Sequence, residues 1–149
     1  MKITGSYQFN ASAVKVWDAL TDPKSLSHCI PGCEGLEPQG NDEYQAVLNV
    51  GVGPIRGRYT AKISMKDQVP HQSYRLVVQG TGPGGFLNAD AVITLVDQNG
   101  KTTVEVDSDS QAGGTVARVG QRMMGSVAKM MMDQFFKSMQ KRTAVKKSG

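Results

Sequence analysis

The chain has 149 residues and a hydrophobic fraction of 39%, enough for one hydrophobic core but little more. No apolar run of about 18 residues occurs, and the N-terminus lacks the apolar stretch of a secretory signal. We therefore expect a cytoplasmic protein without a spanning helix. Residues 116–149 hold eight of the 17 Lys and Arg residues and one acid, which favours an anionic partner at this end, or simply a solvated helix face.

The first residues predict one strand followed by two short helices. Polar and apolar residues alternate over residues 2–9, as in a half-buried strand. Val14, Trp17 and Leu20 then recur at spacings of three, which indicates a helix. Pro23 ends this helix and begins a second short one. A turn is expected at "IPGCEG", from Ile30 to Gly35.

Residues 35–114 show the pattern of successive antiparallel strands. Alternation runs through "EYQAVLNVGVG", "IRGRYTAKISMKD", "SYRLVVQGTG", "FLNADAVITLVDQ" and "TTVEVDSDSQA". Asn99-Gly100 predicts a tight hairpin, because both residues tolerate positive φ. A long helix is expected from Val116 to about Thr143. The predicted domain spans residues 1–143, with a loose basic tail at 144–149.

These elements predict an α+β fold of the helix-grip type. Consecutive antiparallel strands twist and curl, so about seven strands would form a curved sheet. The long C-terminal helix is the element able to cover the concave face of that sheet. The sheet would wrap around the helix and leave a cavity between them.

The glycine-rich motif G-x-G-x-x-G at Gly80, Gly82 and Gly85 does not indicate a dinucleotide site. Such a site needs a helix N-terminus directly after the motif, whereas a strand pattern follows here. We interpret the motif as a loop between strands at the mouth of the cavity. Phe86 and Leu87 would form apolar lips beside it.

Catalytic and metal sites find little support in the sequence. Glu105, Asp107 and Asp109 alternate along one strand face without a histidine placed to complete a metal site, so a solvated outer face is expected. Cys29 and Cys33 are interpreted as small, partly buried thiols. We expect no metal, no cofactor and no catalytic residue. Nucleic-acid binding is not expected either, because the basic residues are not interleaved with aromatic residues on strands.

Four stretches of the sequence resemble the CoxG family, the family of the G subunit of carbon monoxide dehydrogenase, within the START-like (SRPBCC) helix-grip superfamily. They are "IPGCEGLEPQG" from Ile30, "VGVGPIRGRYTAKI" from Val50, "GPGGFLNADAVITL" from Gly82 and "GGTVARVGQRMMGSVAKMMMDQFF" from Gly113. The resemblance covers nearly the whole chain. It implies a cavity for a hydrophobic ligand, a quinone or lipid, and a molybdenum-containing CO dehydrogenase as partner. It also implies a role in linking that enzyme to the membrane.

The end of the sequence departs from this family pattern. Many members continue into a Pro/Ala-rich linker and a hydrophobic anchor, whereas this sequence stops at "AVKKSG". Any membrane contact is therefore expected to be peripheral, at the inner face of the cell membrane.

Six of the eight methionines fall between Met123 and Met139. At helical spacing they extend a broad apolar stripe, wider than one sheet contact requires. Methionine is unbranched and polarizable, so it adapts to variable apolar shapes better than it specifies a core. We interpret the stripe as a pliable cavity wall, with an ordinary core as the alternative. The stripe contains Val116, Val119, Met123, Val127, Met130, Met131 and Phe135, and Met124, Met132, Phe136 and Met139 widen it.

The site hypothesis combines this helix with inward-facing strand residues. The predicted cavity lining is Trp17, Ile30, Leu48, Val50, Tyr59, Leu76, Val78, Phe86, Leu95, Met123, Val127, Met131 and Phe135. The predicted contacts to a partner or membrane are Arg56, Arg58, Arg118, Arg122, Lys129, Lys137 and Lys141.

Three functions fit this site. The first is a non-catalytic adaptor that binds a hydrophobic ligand and associates with a CO dehydrogenase-type molybdenum hydroxylase. The second is a small cyclase or hydrolase using the same cavity, which polar groups such as Tyr59 with His71 or Asp90 would favour. The third is an assembly factor that binds protein only, its cavity filled by its own side chains.

Overall fold

The fold is described by a computed structural model covering residues 1–52, 55–114, 118 and 120–144. Seven strands form one antiparallel sheet in the order β1-β7-β6-β5-β4-β3-β2, and three helices accompany it. The strands are β1 (Lys2–Phe9), β2 (Cys33–Gly40), β3 (Glu43–Val52), β4 (Ile55–Val69), β5 (Ser73–Gly82), β6 (Gly85–Gln98) and β7 (Lys101–Gly113). The helices are α1 (Ala13–Thr21), α2 (Pro23–Cys29) and α3 (Gln121–Thr143). The predicted α+β architecture is confirmed.

The two short helices begin at side-chain caps. The Ser12 hydroxyl accepts a hydrogen bond from the Lys15 amide (3.3 Å) and so caps α1. The Asp22 carboxylate accepts from the amides of Lys24 (3.4 Å) and Ser25 (3.3 Å), with Pro23 at the first position of α2. These bonds satisfy amides that have no partner within their helix.

The sheet buries one face and exposes the other, as the alternating sequence predicts. Along β7, Val104 and Val106 are buried, and Glu105, Asp107 and Asp109 are exposed. The acidic row therefore lies on the outer face, as expected. The β6–β7 hairpin turns at Asn99 (φ 56°) and Gly100 (φ 81°), both left-handed, which confirms the prediction for this pair.

The long helix begins later than predicted. Gly120 adopts φ 95°, a value incompatible with a helix interior, and serves as the N-cap of α3 without a side-chain hydrogen bond. The predicted start at Val116 was therefore wrong. Residues 115–117 and 119, the hairpin residues 53–54 and the tail at 145–149 lie outside the described residues. None of the described helices has the length and apolar character needed to cross a membrane.

The hydrophobic core consists of two clusters on the concave side of the sheet. The larger one joins α1, α2 and the sheet to the C-terminal half of α3, where Phe136 and Met139 are buried. The smaller one contains Ile55, Tyr59, Met124 and Val127, beneath the N-terminal half of α3. The space between these clusters forms the candidate site.

Candidate ligand cavity

Two adjoining chambers lie between α3 and the concave face of the sheet. The smaller chamber has a volume of about 100 Å³ and the larger chamber about 250 Å³. The smaller chamber is lined by Leu48, Val50, Ile55, Tyr59, Ala61, Val78, Gly80, Leu87, Met124, Val127, Ala128 and Met131. The larger chamber is lined by Ile3, Leu26, Ile30, Pro31, Leu48, Ala61, Ile63, Leu76, Val78, Ala89, Ala91, Ile93, Val106, Ser108, Ser110, Ala128, Met131, Met132, Phe135 and Phe136.

The chamber walls are almost entirely apolar. In the larger chamber, Ser108 and Ser110 are the polar side chains of the described lining, and the Ser108 hydroxyl donates to the Ile3 carbonyl (2.7 Å). In the smaller chamber, Tyr59 contributes the polar side-chain atom. Binding in such a space comes mainly from the burial of apolar surface, with few polar atoms to orient the ligand.

The C-terminal half of α3 is held firmly against the rest of the fold. The Phe136 ring stacks on Tyr7 with centroids 4.5 Å apart and meets Phe9 edge-on at 6.4 Å. Further along, the Gln140 side-chain amide donates to the Gln8 carbonyl (2.8 Å), and Arg142 Nε donates to the Ser25 hydroxyl (2.8 Å). These contacts fix the half of the helix that supplies Met132 and Phe135 to the larger chamber.

A polar cluster of Tyr7, Lys129 and Asp133 flanks this contact. The Tyr7 hydroxyl donates to Asp133 Oδ1 (2.5 Å) and accepts from Lys129 Nζ (3.2 Å), and Lys129 Nζ also donates to Asp133 Oδ1 (2.6 Å). Burial and then the hydrogen bond to Asp133 raise the pKa of Tyr7. The hydrogen bonds from Lys129 and then Tyr7 lower the pKa of Asp133. The cluster joins β1 to the middle of α3.

The structure places most of the predicted lining residues around the chambers. They are Ile30, Leu48, Val50, Tyr59, Leu76, Val78, Val127, Met131 and Phe135. Trp17 and Leu95 lie instead in the closed core, where the Trp17 ring meets Tyr74 edge-on at 5.4 Å. Phe86 and Met123 point outward, 41% and 46% exposed, because their neighbours Leu87 and Met124 occupy the inward positions.

The methionines divide into three environments. Met124 and Met139 are buried core residues, and Met131 and Met132 line the chambers. Met123 is exposed and Met130 is 36% exposed, both on the outer surface of α3. The stripe is therefore partly core and partly cavity wall.

The predicted contact residues are mostly exposed, and Arg58 and Lys129 among them form contacts within the chain. Arg58 Nε contacts Glu34 Oε1 at 2.8 Å, which ties β4 to the start of β2. Lys129 belongs to the cluster with Tyr7 and Asp133. The side chains of the other predicted contact residues are exposed: Arg56, Arg118, Arg122, Lys137 and Lys141.

The polar residues that would favour an enzyme do not converge. Asp90 receives two hydrogen bonds from Arg75, from Nε at 2.8 Å and from Nη2, on the outer face of the sheet. His71 lies beside Trp17, with ring centroids 6.1 Å apart. Of these three residues, only Tyr59 lines a chamber.

Small residues that the sequence hypothesis did not include create the space. Ala61, Ala89 and Ala91 lie on β4 and β6, and Ala128 faces them from α3. Larger side chains at these positions would fill the chambers. Alanines at inward positions of nearby strands are a signal that strand pairing could have revealed.

A curved antiparallel sheet that grips a C-terminal helix over an apolar cavity defines a START-like helix-grip protein. A START superfamily protein from Mycobacterium smegmatis shares this fold, with a TM-score of 0.78, 13% identity and coverage of 95% of this chain and 96% of that chain. A conserved protein from Geobacillus kaustophilus is 40% identical, with a TM-score of 0.93 and coverage of 97% of this chain and 95% of that chain.

The family model of the carbon monoxide dehydrogenase G subunit (CoxG) matches residues 5–144. The chain belongs to the CoxG family, which confirms the resemblance seen in the sequence. A search among curated proteins found no match.

Proposed function

We propose that this protein is a non-catalytic adaptor that binds a hydrophobic molecule, a quinone or a lipid, between the sheet and α3. The observation that carries the proposal is the pair of apolar chambers, of about 100 and 250 Å³, beneath that helix. The family description supports a CO dehydrogenase-type molybdenum hydroxylase as the partner. Cavities of this kind bind through apolar burial.

Binding is favoured over catalysis by the chemistry of the chamber walls. General acid–base catalysis needs titratable groups within hydrogen-bonding reach of the reacting atoms. Tyr59 is the titratable side chain in the described lining of the two chambers, and Asp90 and His71 lie elsewhere. A protein-only assembly factor is less well supported, because the described side chains leave the chambers unfilled.

Extraction of the protein purified from its native host tests the ligand. Organic extraction and mass spectrometry should recover a quinone or lipid in stoichiometric amount. Ala128→Phe, which projects a ring into both chambers, should abolish recovery, and Gln134→Phe on the exposed side of α3 should not. A protein that is extracted empty and takes up neither quinones nor lipids would refute the proposal.

The partner and the membrane require a second experiment. We expect the tagged protein to retain subunits of the molybdenum hydroxylase from host extracts, and to sediment with anionic vesicles in preference to neutral ones. Exposed Lys137 and Lys141 would contribute to an anionic contact, so their replacement by Glu should weaken vesicle binding. Equal sedimentation with both kinds of vesicle would remove the membrane from the proposal.

A further inference from the structure

We propose that both chambers together bind one elongated, uncharged lipid, with its single polar oxygen at the Tyr59 hydroxyl and its chain running past Met131 into the larger chamber. This inference rests on the proposed function and specifies the class of ligand for the same site. Three observations carry it: the state of the Tyr59 hydroxyl, the chemistry of the walls, and the residues that the chambers share.

The Tyr59 side chain offers a hydrogen bond that the described residues do not use. Tyr59 is 8% exposed and lines the smaller chamber, yet its hydroxyl makes no hydrogen bond within the described part of the chain. Every fully enclosed side-chain polar atom described has a partner, so this hydroxyl is still accessible. A phenol can donate and accept, and leaving it unmet in an apolar space is unfavourable. A ligand oxygen would satisfy it.

The position of the Tyr59 ring is fixed, which makes it a suitable anchor. Tyr59 pairs with Leu48 across the β3–β4 ladder, and its ring lies flat over Gly82. A β-carbon at Gly82 would lie 2.4 Å from Tyr59 Cδ2, so glycine is needed for this close approach. The hydroxyl is therefore held in place before a ligand binds.

The walls select against a charged head group. Among the described lining residues, Tyr59, Ser108 and Ser110 are the polar side chains, and no Lys, Arg, Asp, Glu or His is present. A carboxylate or phosphate moved into this space would lose its hydration without gaining a counter-charge. A hydroxyl or carbonyl oxygen needs one hydrogen bond, which Tyr59 can supply.

The shape of the site favours one long ligand over two small ones. Both chambers are lined by the same five residues: Leu48, Ala61, Val78, Ala128 and Met131. Met131 has the longest and most adaptable side chain among them, so its rotamers can join the chambers. The α3 residues lining the chambers run from Met124 to Phe136, roughly 18 Å at the rise of a helix.

The test of the anchor pairs one protein atom with one ligand atom. Binding of tetradecanol and tetradecane, delivered from cyclodextrin, is measured by displacement of phenylnaphthylamine, an uncharged fluorescent probe. Tyr59→Phe should weaken tetradecanol binding roughly fivefold and leave tetradecane binding unchanged. An equal effect on both ligands, or none on either, would overturn the anchor. The melting temperature should not fall, because the hydroxyl has no described internal partner to lose.

Head-group charge and ligand source are tested in the same assay. Tetradecanoate at neutral pH should bind roughly tenfold more weakly than tetradecanol. Equal affinity would overturn the requirement for an uncharged head. A prenylated quinone with a chain of similar length is compared directly with the alcohol. If Tyr59→Phe weakens both, the anchor is confirmed, and the tighter binder identifies whether a carbonyl or a hydroxyl oxygen is preferred.

Chain length tests the passage at Met131. Met131→Phe should weaken octadecanol binding roughly tenfold while octanol binding changes little, whereas Met131→Ala should retain octadecanol. The neighbouring Met130→Phe, on the outer surface, serves as the matched control. Equal losses for both chain lengths would overturn the shared passage. Failure of every apolar ligand to bind would instead contradict the proposed function itself, so the two failures are distinguishable.

Discussion

At the scale of single residues, Gly82 determines where the Tyr59 ring can lie. We predict that Gly82→Ala destabilises the protein by about 1–3 kcal/mol, because its β-carbon would overlap the ring. Urea unfolding at neutral pH measures this change. Gly51→Ala is the control, since a β-carbon there meets nothing within 4 Å. Equal midpoints for the two variants would show that the ring moves aside without cost.

Asp133 gives a pH-dependent prediction. Its folded pKa lies below the ordinary value of 3.8, because Lys129 and then Tyr7 hydrogen-bond to the carboxylate. This stabilisation is present above pH 3.8 and is lost as the pH falls through the folded pKa. We therefore expect Asp133→Asn to lower stability at neutral pH by less than about 1 kcal/mol, since the carboxylate is half exposed.

The difference between Asp133→Asn and the parent protein should vanish in acid. Urea midpoints at neutral pH and below the ordinary aspartate pKa measure it for both proteins. Asp107→Asn, on the outer face of β7, controls for the loss of one surface charge. A difference that stays constant through the acid range would show that the asparagine acts by another route.

At the scale of elements, α3 is supported unequally along its length. Its C-terminal half is packed by Phe136 and Met139, whereas its start has no side-chain cap and no acidic residue in the first turn. Gly125 weakens the same segment, because glycine costs backbone entropy within a helix. The roof of the smaller chamber is therefore the less stable part of the helix.

We predict that Gly125→Ala stabilises the protein by about 0.5–1 kcal/mol. The added β-carbon would meet the Met1 sulfur at 3.4 Å, an ordinary contact. Hydrogen exchange should slow in the first turns of α3 and remain unchanged near Met139. A lower urea midpoint would mean that the contact with Met1 is too close to be relieved.

The sequence was sufficient to predict the strands but not the start of α3. Alternation identifies strands because one face of the sheet is buried, and Asn99-Gly100 marks its hairpin through positive φ. The apolar spacing of α3 continues upstream through Val116 and Val119, yet Gly120 takes a left-handed φ and ends the pattern as an N-cap. Periodicity reports a possible helix face and does not report this backbone choice.

The candidate site was predictable in part, for a related reason. Inward strand positions such as Leu48, Val78 and Tyr59 follow from alternation. Which inward residues meet the closed core depends on where α1 packs, and that placement puts Trp17 against Tyr74 instead of the cavity. The space itself depends on alanines that come together only through strand pairing.

At the scale of the whole molecule, the fold separates the function of holding α3 from that of binding. The closest backbone approaches of α3 are to β1, α1 and α2, which together hold the helix in place. Over the middle of the sheet, the helix is separated from the strands by the two chambers. Filling the chambers with ligand should therefore add stability without disturbing the contacts that hold the helix.

This separation predicts a stability that depends on ligand concentration. A ligand that binds only the folded state should raise the free energy of unfolding by about 2.7 kcal/mol at a hundredfold excess over its Kd. We expect tetradecanol to produce this gain in the parent protein and in Gln134→Phe, measured as a rise in the urea midpoint. Ala128→Phe should remain folded and show no gain, because its ring occupies both chambers. A gain in Ala128→Phe equal to that of the parent would place the ligand outside the chambers, on a surface that the apolar walls beneath α3 do not form.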